Sequence, residues 1–307
     1  MNKRQKEILQ NELNNEKNVI KQIKAVYERA LVSIEKKIEL LSVDKLMQSK
    51  IYQKQYQEAL KKQIEAILGM MNSEQYDVIQ EYLKECYDDA FIGTLYDLQG
   101  QGIPLIFPID QEEVVQAIQH DTKLKKPLYE ALGYDVEQLK KTIASEISRG
   151  FASSMMYTEI ARNIRQYGGV SMYKALTIAR TEGHRITEQA RDKARHRAKE
   201  AGADVVKQWD STLDGRTRKS HRKLDGQVRE LDEPFEVNGH KAQYPGGFGI
   251  AKEDINCRCV TLQRAKWALD EEEMKTIEKR AKYLGVDKSK DIKDFKEKYL
   301  KAIKNEE

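Results

Sequence analysis

The chain has 307 residues, 39% of them hydrophobic and 34% charged, with five prolines and a formal net charge of +4. That length allows about two domains, and the near balance of apolar and charged residues suits long helices with wide solvated faces better than a compact enzyme. Three cysteines exclude a disulfide framework, no apolar run approaches the roughly 18 residues of a membrane span, and the start MNKRQKEILQ lacks the apolar core of a secretory signal, so the expected product is soluble and made in a reducing cytoplasm.

From Asn2 to about Leu68 there is neither proline nor glycine, and Ile20, Ile23, Tyr27, Leu31, Ile34, Ile38 and Leu41 recur at steps of three and four. This pattern predicts one long helix whose apolar stripe needs a partner, either a second helix of the chain or another protein. Ser73 reads as the cap of a helix that restarts and runs to about Leu98. Gly100, Gly102, Pro104 and Pro108 then interrupt the pattern. Asp110 is placed to cap the next helix, with Glu112 and Glu113 in its first turn, where carboxylates suit the helix dipole. Helical character continues from Val136 to Ile147. A helix carrying Met156, Ile160 and Ile164 is expected to stop at Gly168-Gly169, and another to run from Ser171 to about Ala201, ended by Gly202. Its apolar positions are sparse, which predicts a solvated face or an acidic partner.

Beyond Gly202 the rhythm changes. Val205, Val206, Trp209, Val228, Phe235, Val237 and Val260 are strand formers, separated by the turn pairs Asp214-Gly215, Asp225-Gly226 and Asn238-Gly239. The expected fold class is mainly α with a small α+β domain. It divides into a helical amino-terminal region (1–138), further helices (139–202), a compact α+β unit (203–265) and a charged helical tail (266–307) with a weak stripe of Ile277, Ala281 and Leu284.

The segment from Trp209 to Cys259 concentrates the chemistry. Cys257 and Cys259 stand at i and i+2, so on extended backbone both sulfurs face one side. With His221 and His240 they make a coherent zinc set; free buried thiols with hydrogen-bonded histidines are the other reading. Asp214, Arg216, Arg218 and His221 admit a metal-assisted nuclease or other DNA-processing centre, with His221 as general base and the arginines on phosphate oxygens. They also admit a purely structural cluster in which Asp214 turns the chain and pairs with Arg216 or Arg218. No second acid, base or nucleophile stands at a compatible spacing, which favours structure, no catalytic residue and no obligatory cofactor. Tyr244 to Gly249 lacks the Lys-Ser/Thr of a phosphate-binding loop and reads as a turn. From Arg180 to Glu230 fourteen Lys/Arg face nine Asp/Glu. Arg191, Lys193, Arg195, Arg197 and Lys199 are the candidate phosphate contacts there, while Arg180 and Glu182 are placed to dock their helix on the α+β unit.

Taken in order, Gly150, Ala179-Arg180-Thr181-Glu182, Trp209, Asp214-Gly215-Arg216-Thr217-Arg218, His221, Leu224-Asp225-Gly226, Pro245-Gly246 and Asn256-Cys257-Arg258-Cys259 resemble the phage Mu F-like minor head protein family of tailed phages, also called the head morphogenesis family. The resemblance covers about Leu139 to Leu262. It implies a virion protein, made in the bacterial host and held in few copies inside the capsid. It also implies contact with the portal protein and with capsid or scaffolding protein, a role in head assembly and genome packaging or ejection, and in some relatives contact with double-stranded DNA. The family is not known for a defined catalytic reaction. One departure is that the Pro245-Gly246 loop continues Gly-Phe-Gly, without the acidic residue found in many relatives.

Overall fold

The computed structural model describes residues 1–43, 50–103, 105–119, 128–153, 155–212, 214–265 and 289–306. Its helices are α1 (Lys3–Val43), α2 (Lys50–Gly100), α3 (Gln111–Gln119), α4 (Leu128–Ala152), α5 (Tyr157–Glu200), the short α6 (Lys219–Arg222) and α7 (Ala251–Asp254), and α8 (Ile292–Glu306). The strands are β1 (Val205–Asp210), β2 (Val228–Glu230), β3 (Phe235–Val237), β4 (His240–Ala242) and β5 (Val260–Ala265). The chain is thus mainly α with a small α+β portion, as expected. Among the described residues no helix is long and apolar enough to cross a membrane.

Two compact units arise from interleaved segments: residues 1–16, 82–123 and 180–307 form one, residues 17–81 and 124–179 the other. Among its described residues the second unit contains helices and no strand. Ile23, Tyr27, Leu31, Ile34 and Ile38 of the predicted stripe are buried there, with Ile64, Leu68, Ile143 and Ile164, and Ile20 is half-buried. Tyr27 donates its hydroxyl proton to Gln75 Oε1 at 2.9 Å, so the one polar atom on this apolar face has a partner.

Three helix expectations are corrected. The single helix to Leu68 is instead divided between α1 and α2, which run antiparallel, with Asn2 against Asp97 and Arg29 against Glu74. Ser73 caps nothing: α2 continues through it, and its hydroxyl reaches back to Gly69 O at 3.5 Å, the back-bond of a serine inside a helix. Gly168-Gly169 does not stop α5 either. A Cβ on Gly168 would come within 2.6 Å of Leu31 Cδ2, so this glycine serves close helix packing. Met156 lies before α5 and is exposed. The Leu41 side chain, Pro104 and the stripe of Ile277, Ala281 and Leu284 lie outside the described residues.

In the first unit, α2 and α5 end in the same way. Ile103 N donates to Leu98 O and Gly102 N to Gln99 O, with Gly102 at φ +85°. Ala203 N donates to Ala198 O and Gly202 N to Lys199 O, with Gly202 at φ +93°. Both are left-handed glycine stops that satisfy the last carbonyls. Asp110 caps α3 as predicted, its Oδ1 accepting from Glu112 N at 2.9 Å.

A three-stranded antiparallel sheet has the order β2-β1-β5, with Trp209 opposite Thr261 and Gln208 opposite Val228. The β3-β4 hairpin turns on Asn238 and Gly239, both at positive φ, the left-handed pair that a two-residue hairpin requires. One face of β1 carries Val205 into a cluster with Leu98, Ala198 and Leu231, and Trp209 into a second with Phe235, Phe248, Cys257 and Cys259. Lys207 lies between them on that face, fully buried. Its ammonium donates to Leu231 O and Gln243 Oε1 and stands 5.5 Å from the Phe235 ring centre.

Gly183 of α5 meets the Tyr82 ring, where an added Cβ would lie 2.6 Å from Cε1, whereas Gly169 has open space around it. Gly183→Ala is therefore expected to lose about 1–3 kcal/mol through overpacking. Gly169→Ala is expected to gain up to about 1 kcal/mol from helix propensity. Urea midpoints of the two variants should move in opposite directions.

Candidate functional site

The site grows from the end of β1. Trp209, the largest fully buried side chain among the described residues, sits edge-on to Phe235 and His221, with ring centres 5.1 and 5.6 Å away. Its indole N–H donates to Ser211 Oγ at 3.0 Å, and that hydroxyl donates to His221 O at 2.9 Å. The chain reverses at Asp225-Gly226: Gly226, at φ +76°, donates its N–H to Trp209 O, and Asp225 Oδ1 accepts from Ser211 N at 2.8 Å. These contacts fix α6 against the indole and turn the His221 imidazole inward.

Cys257 and Cys259 bracket an exposed Arg258 just before β5, so both sulfurs enter the core on one side, as the i, i+2 spacing requires. His221 Nδ1 stands 3.5 Å from Cys257 Sγ and 3.4 Å from Cys259 Sγ, and all three residues are buried. The three ligand atoms lie within 4.8 Å of one another. Sharing a proton with Cys259, burial and the neighbouring Cys259 charge push the Cys257 thiol up. The same shared proton, with help from His221 and Ser211, holds Cys259 down as the thiolate of the pair against its own burial.

His240 is not part of this group. It is exposed at the start of β4, beside the hairpin turn at Asn238-Gly239. The group beside the imidazole that sequence reasoning missed is Glu253 of α7. Its Oε2 lies 3.1 Å from His221 Nε2, close in distance but off the line of a ring hydrogen bond. Burial works against charge on Glu253, yet Ser220 Oγ at 2.9 Å, His221 and Asn238 Nδ2 at 3.3 Å hold its carboxyl below the usual range. An acid in a short helix within an otherwise polar loop carries no periodic signal.

The remaining motif residues are internal fasteners. Asp214 does not pair with Arg216 or Arg218 side chains. It takes a bidentate pair from Arg258 at 2.7 Å on each oxygen, and this pair, with Arg216 N and Thr217, holds its carboxyl well below the usual range. Arg218 donates to Ile255 O, and Arg216 is exposed. Asp254 accepts three backbone N–H groups of the glycine loop, from Phe248, Gly249 and Ile250, at 3.1, 2.7 and 3.2 Å. Pro245 and Gly246 are buried, and Gly246, at φ +79°, lies against His184 and Arg185. Asn256, at φ +54°, donates its N–H to Thr181 Oγ1 at 3.3 Å. Arg180 pairs with Glu16 at 3.0 Å and buried Glu182 with Arg185 at 2.9 Å.

The five candidate phosphate contacts on α5 divide. Arg191 and Arg195 are buried: Arg191 pairs with Glu188 and Glu12, and Arg195 with Asp192 and Thr261 Oγ1. Lys193 and Arg197 approach Glu113, and Lys199 approaches Asp232. The guanidinium groups of Arg191 and Arg195 thus have no open route to a phosphate in this fold. A different set surrounds a cavity of about 430 Å³ outside Glu253, lined by Arg218, Lys219, Ser220, Lys223, Asn238 and Lys252 as well as that acid.

Residues 141–262 match the family model described as Phage Mu protein F like protein. Minor head protein GP7 of Bacillus phage SPP1 is 29% identical over 249 residues, 79% of this chain and 77% of that protein. Over this span the chain is similar to the phage Mu F-like minor head proteins. The NAD(+)–arginine ADP-ribosyltransferase EFV of Enterococcus faecalis is 30% identical over 266 residues, 86% of this chain. The chain spans little more than half of EFV, 55% of its length. An uncharacterised protein of Haemophilus influenzae is 29% identical over 133 residues, 41% of this chain and 27% of that protein. No solved structure matches. The matched span runs from the middle of α4 to β5 and so includes the cysteine–histidine group and the motif residues around it, while Glu16, the partner of Arg180, lies outside.

Burial lowers Lys207 from 10.5 to about 8. Between those values the unfolded chain holds a proton that the folded protein has released, so stability rises with pH across this window, by up to about 3 kcal/mol. Urea midpoints measured from about pH 7.5 to 10.5 should show this rise in the wild type relative to Lys207→Met. Parallel curves would contradict the assignment.

Proposed function

We propose that this protein serves phage head morphogenesis as a minor capsid component of the virion. In this reading it associates with the portal protein and with capsid or scaffolding protein inside the head, and assists genome packaging or ejection. The supporting observation is that the family's ordered motifs, scattered over more than a hundred residues, converge on one interlocked unit. Asp214 meets Arg258, His221 meets Cys257 and Cys259, and Asn256 meets Thr181. Polar groups that spend their bonding capacity on one another suit a fold built to hold shape at an assembly interface. The enzymatic name of EFV is not carried over, because nearly half of that protein lies beyond the match.

Contact with packaged double-stranded DNA belongs to the same proposal, through the exposed cations around the α6 cavity: Lys219, Lys223 and Lys252, with Arg218 beside them. Such contacts engage phosphates without reading sequence.

Co-expression with the portal protein of the same phage should yield a complex that survives purification at near-physiological salt; two species that elute separately would overturn the assembly reading. DNA retention should fall steeply with salt, and Lys219→Glu/Lys223→Glu/Lys252→Glu should flatten the logarithmic salt slope by about 0.9 for each phosphate no longer neutralised. Retention indifferent to salt would contradict the DNA contact. Plasmid incubated with divalent metal should remain intact. Nicking that disappears with chelator and in His221→Ala would replace the structural reading of this unit with the nuclease one.

A further inference from the structure

His221 Nδ1 has room for one proton or one lone pair, yet two sulfurs approach it almost equally, at 3.5 and 3.4 Å. A hydrogen bond explains one such approach but not both. An ion coordinated tetrahedrally explains both. With zinc–sulfur bonds of about 2.3 Å and zinc–nitrogen bonds of about 2.05 Å, the edge between S and N ligands is roughly 3.6 Å. We propose that Cys257 Sγ, Cys259 Sγ and His221 Nδ1 bind one zinc ion, which fastens the entry of β5 to α6.

Three further features support the site. Two thiolates and a neutral imidazole cancel the charge of a divalent cation, so the complex is neutral as a whole, as its surroundings of Trp209, Phe235 and Phe248 require. Soft sulfur with imidazole selects zinc over magnesium or calcium. On the far side of the ring, Glu253 lies 3.1 Å from Nε2 and is itself held by Ser220 and Asn238. A carboxylate behind a histidine serves to orient a metal-bound imidazole, and Glu253 reaches Nε2 in distance though not on the line of the bond. Burial of all three side chains makes the site a fastener, not an open centre. The proposal is independent of the head-assembly reading.

The test uses the full chain purified without a histidine tag or chelator. Elemental analysis should find about one zinc per chain. Metal-free protein titrated with cobalt(II) should develop thiolate-to-cobalt charge transfer and the intense visible bands of tetrahedral cobalt. Cys257→Ser, Cys259→Ser and His221→Asn should each lose the metal, while His240→Asn keeps it. Glu253→Gln should weaken zinc binding roughly 10–100-fold in competition with a chromophoric chelator. Wild-type protein with zinc far below one equivalent and no cobalt–thiolate band would overturn the site. So would a Cys257–Cys259 disulfide in protein prepared under reducing conditions, or full zinc retention in Cys257→Ser. The wild-type measurements decide the matter even where a variant fails to fold.

Discussion

Helix α5 buries a row of charges, and the small sheet is placed by it. Glu182 with Arg185, Glu188 with Arg191 and Asp192 with Arg195 are successive i, i+3 pairs along one helix, and five of these six residues are buried. Glu188 Oε2 accepts from both the backbone N–H and the hydroxyl of Thr261, and Arg195 donates to the same hydroxyl, so one threonine on β5 is gripped from both ends by opposite charges. Desolvating so many ions is costly, and buried pairs are poor evidence for net stability. Their value here is registry. A one-residue slip of β5 would turn Thr261 to the opposite face and leave buried charges without partners.

That row also explains what could be read along the chain and what could not. Turns and stops were legible because they depend on local conformation: Gly202, Gly226 and Asn238-Gly239 all take the left-handed backbone that their residue types predict. The stripe on α1 was legible because helical periodicity is local too. The burial of Arg191 and Arg195 was not, since arginine ordinarily marks solvent. The available signal lay in Ala190, Ala194 and Ala198, spaced by four and fully buried. Small residues let neighbouring elements approach α5 closely, and long side chains on either side are covered along with them.

The candidate site was half legible for the same reason. Cys257 and Cys259 share a face by strand geometry alone, and His221 was nominated by chemistry. The partner of Asp214 and the acid behind His221 depend on tertiary contacts more than thirty residues apart in sequence, which spacing cannot reveal. His240 had the right chemistry for a ligand but sits exposed at the turn end of β4. Reading along the chain also hides how α1, α2 and α5 each contribute to two compact units, because a continuous helix gives no composition break where one unit passes into the other.

Short α7 ties these observations together. Its neighbouring acids serve two different ends: Glu253 faces His221, and Asp254 gathers three N–H groups of the glycine loop. The donors of the Pro-Gly-Gly-Phe-Gly stretch are thus satisfied by charge-assisted bonds from an acid just beyond it. Asn256 then turns the chain at positive φ directly into Cys257. Loop, imidazole and thiols are therefore fixed by one segment of about ten residues, so a change to the loop acts on the cysteine–histidine group through backbone geometry before it acts on anything at the surface.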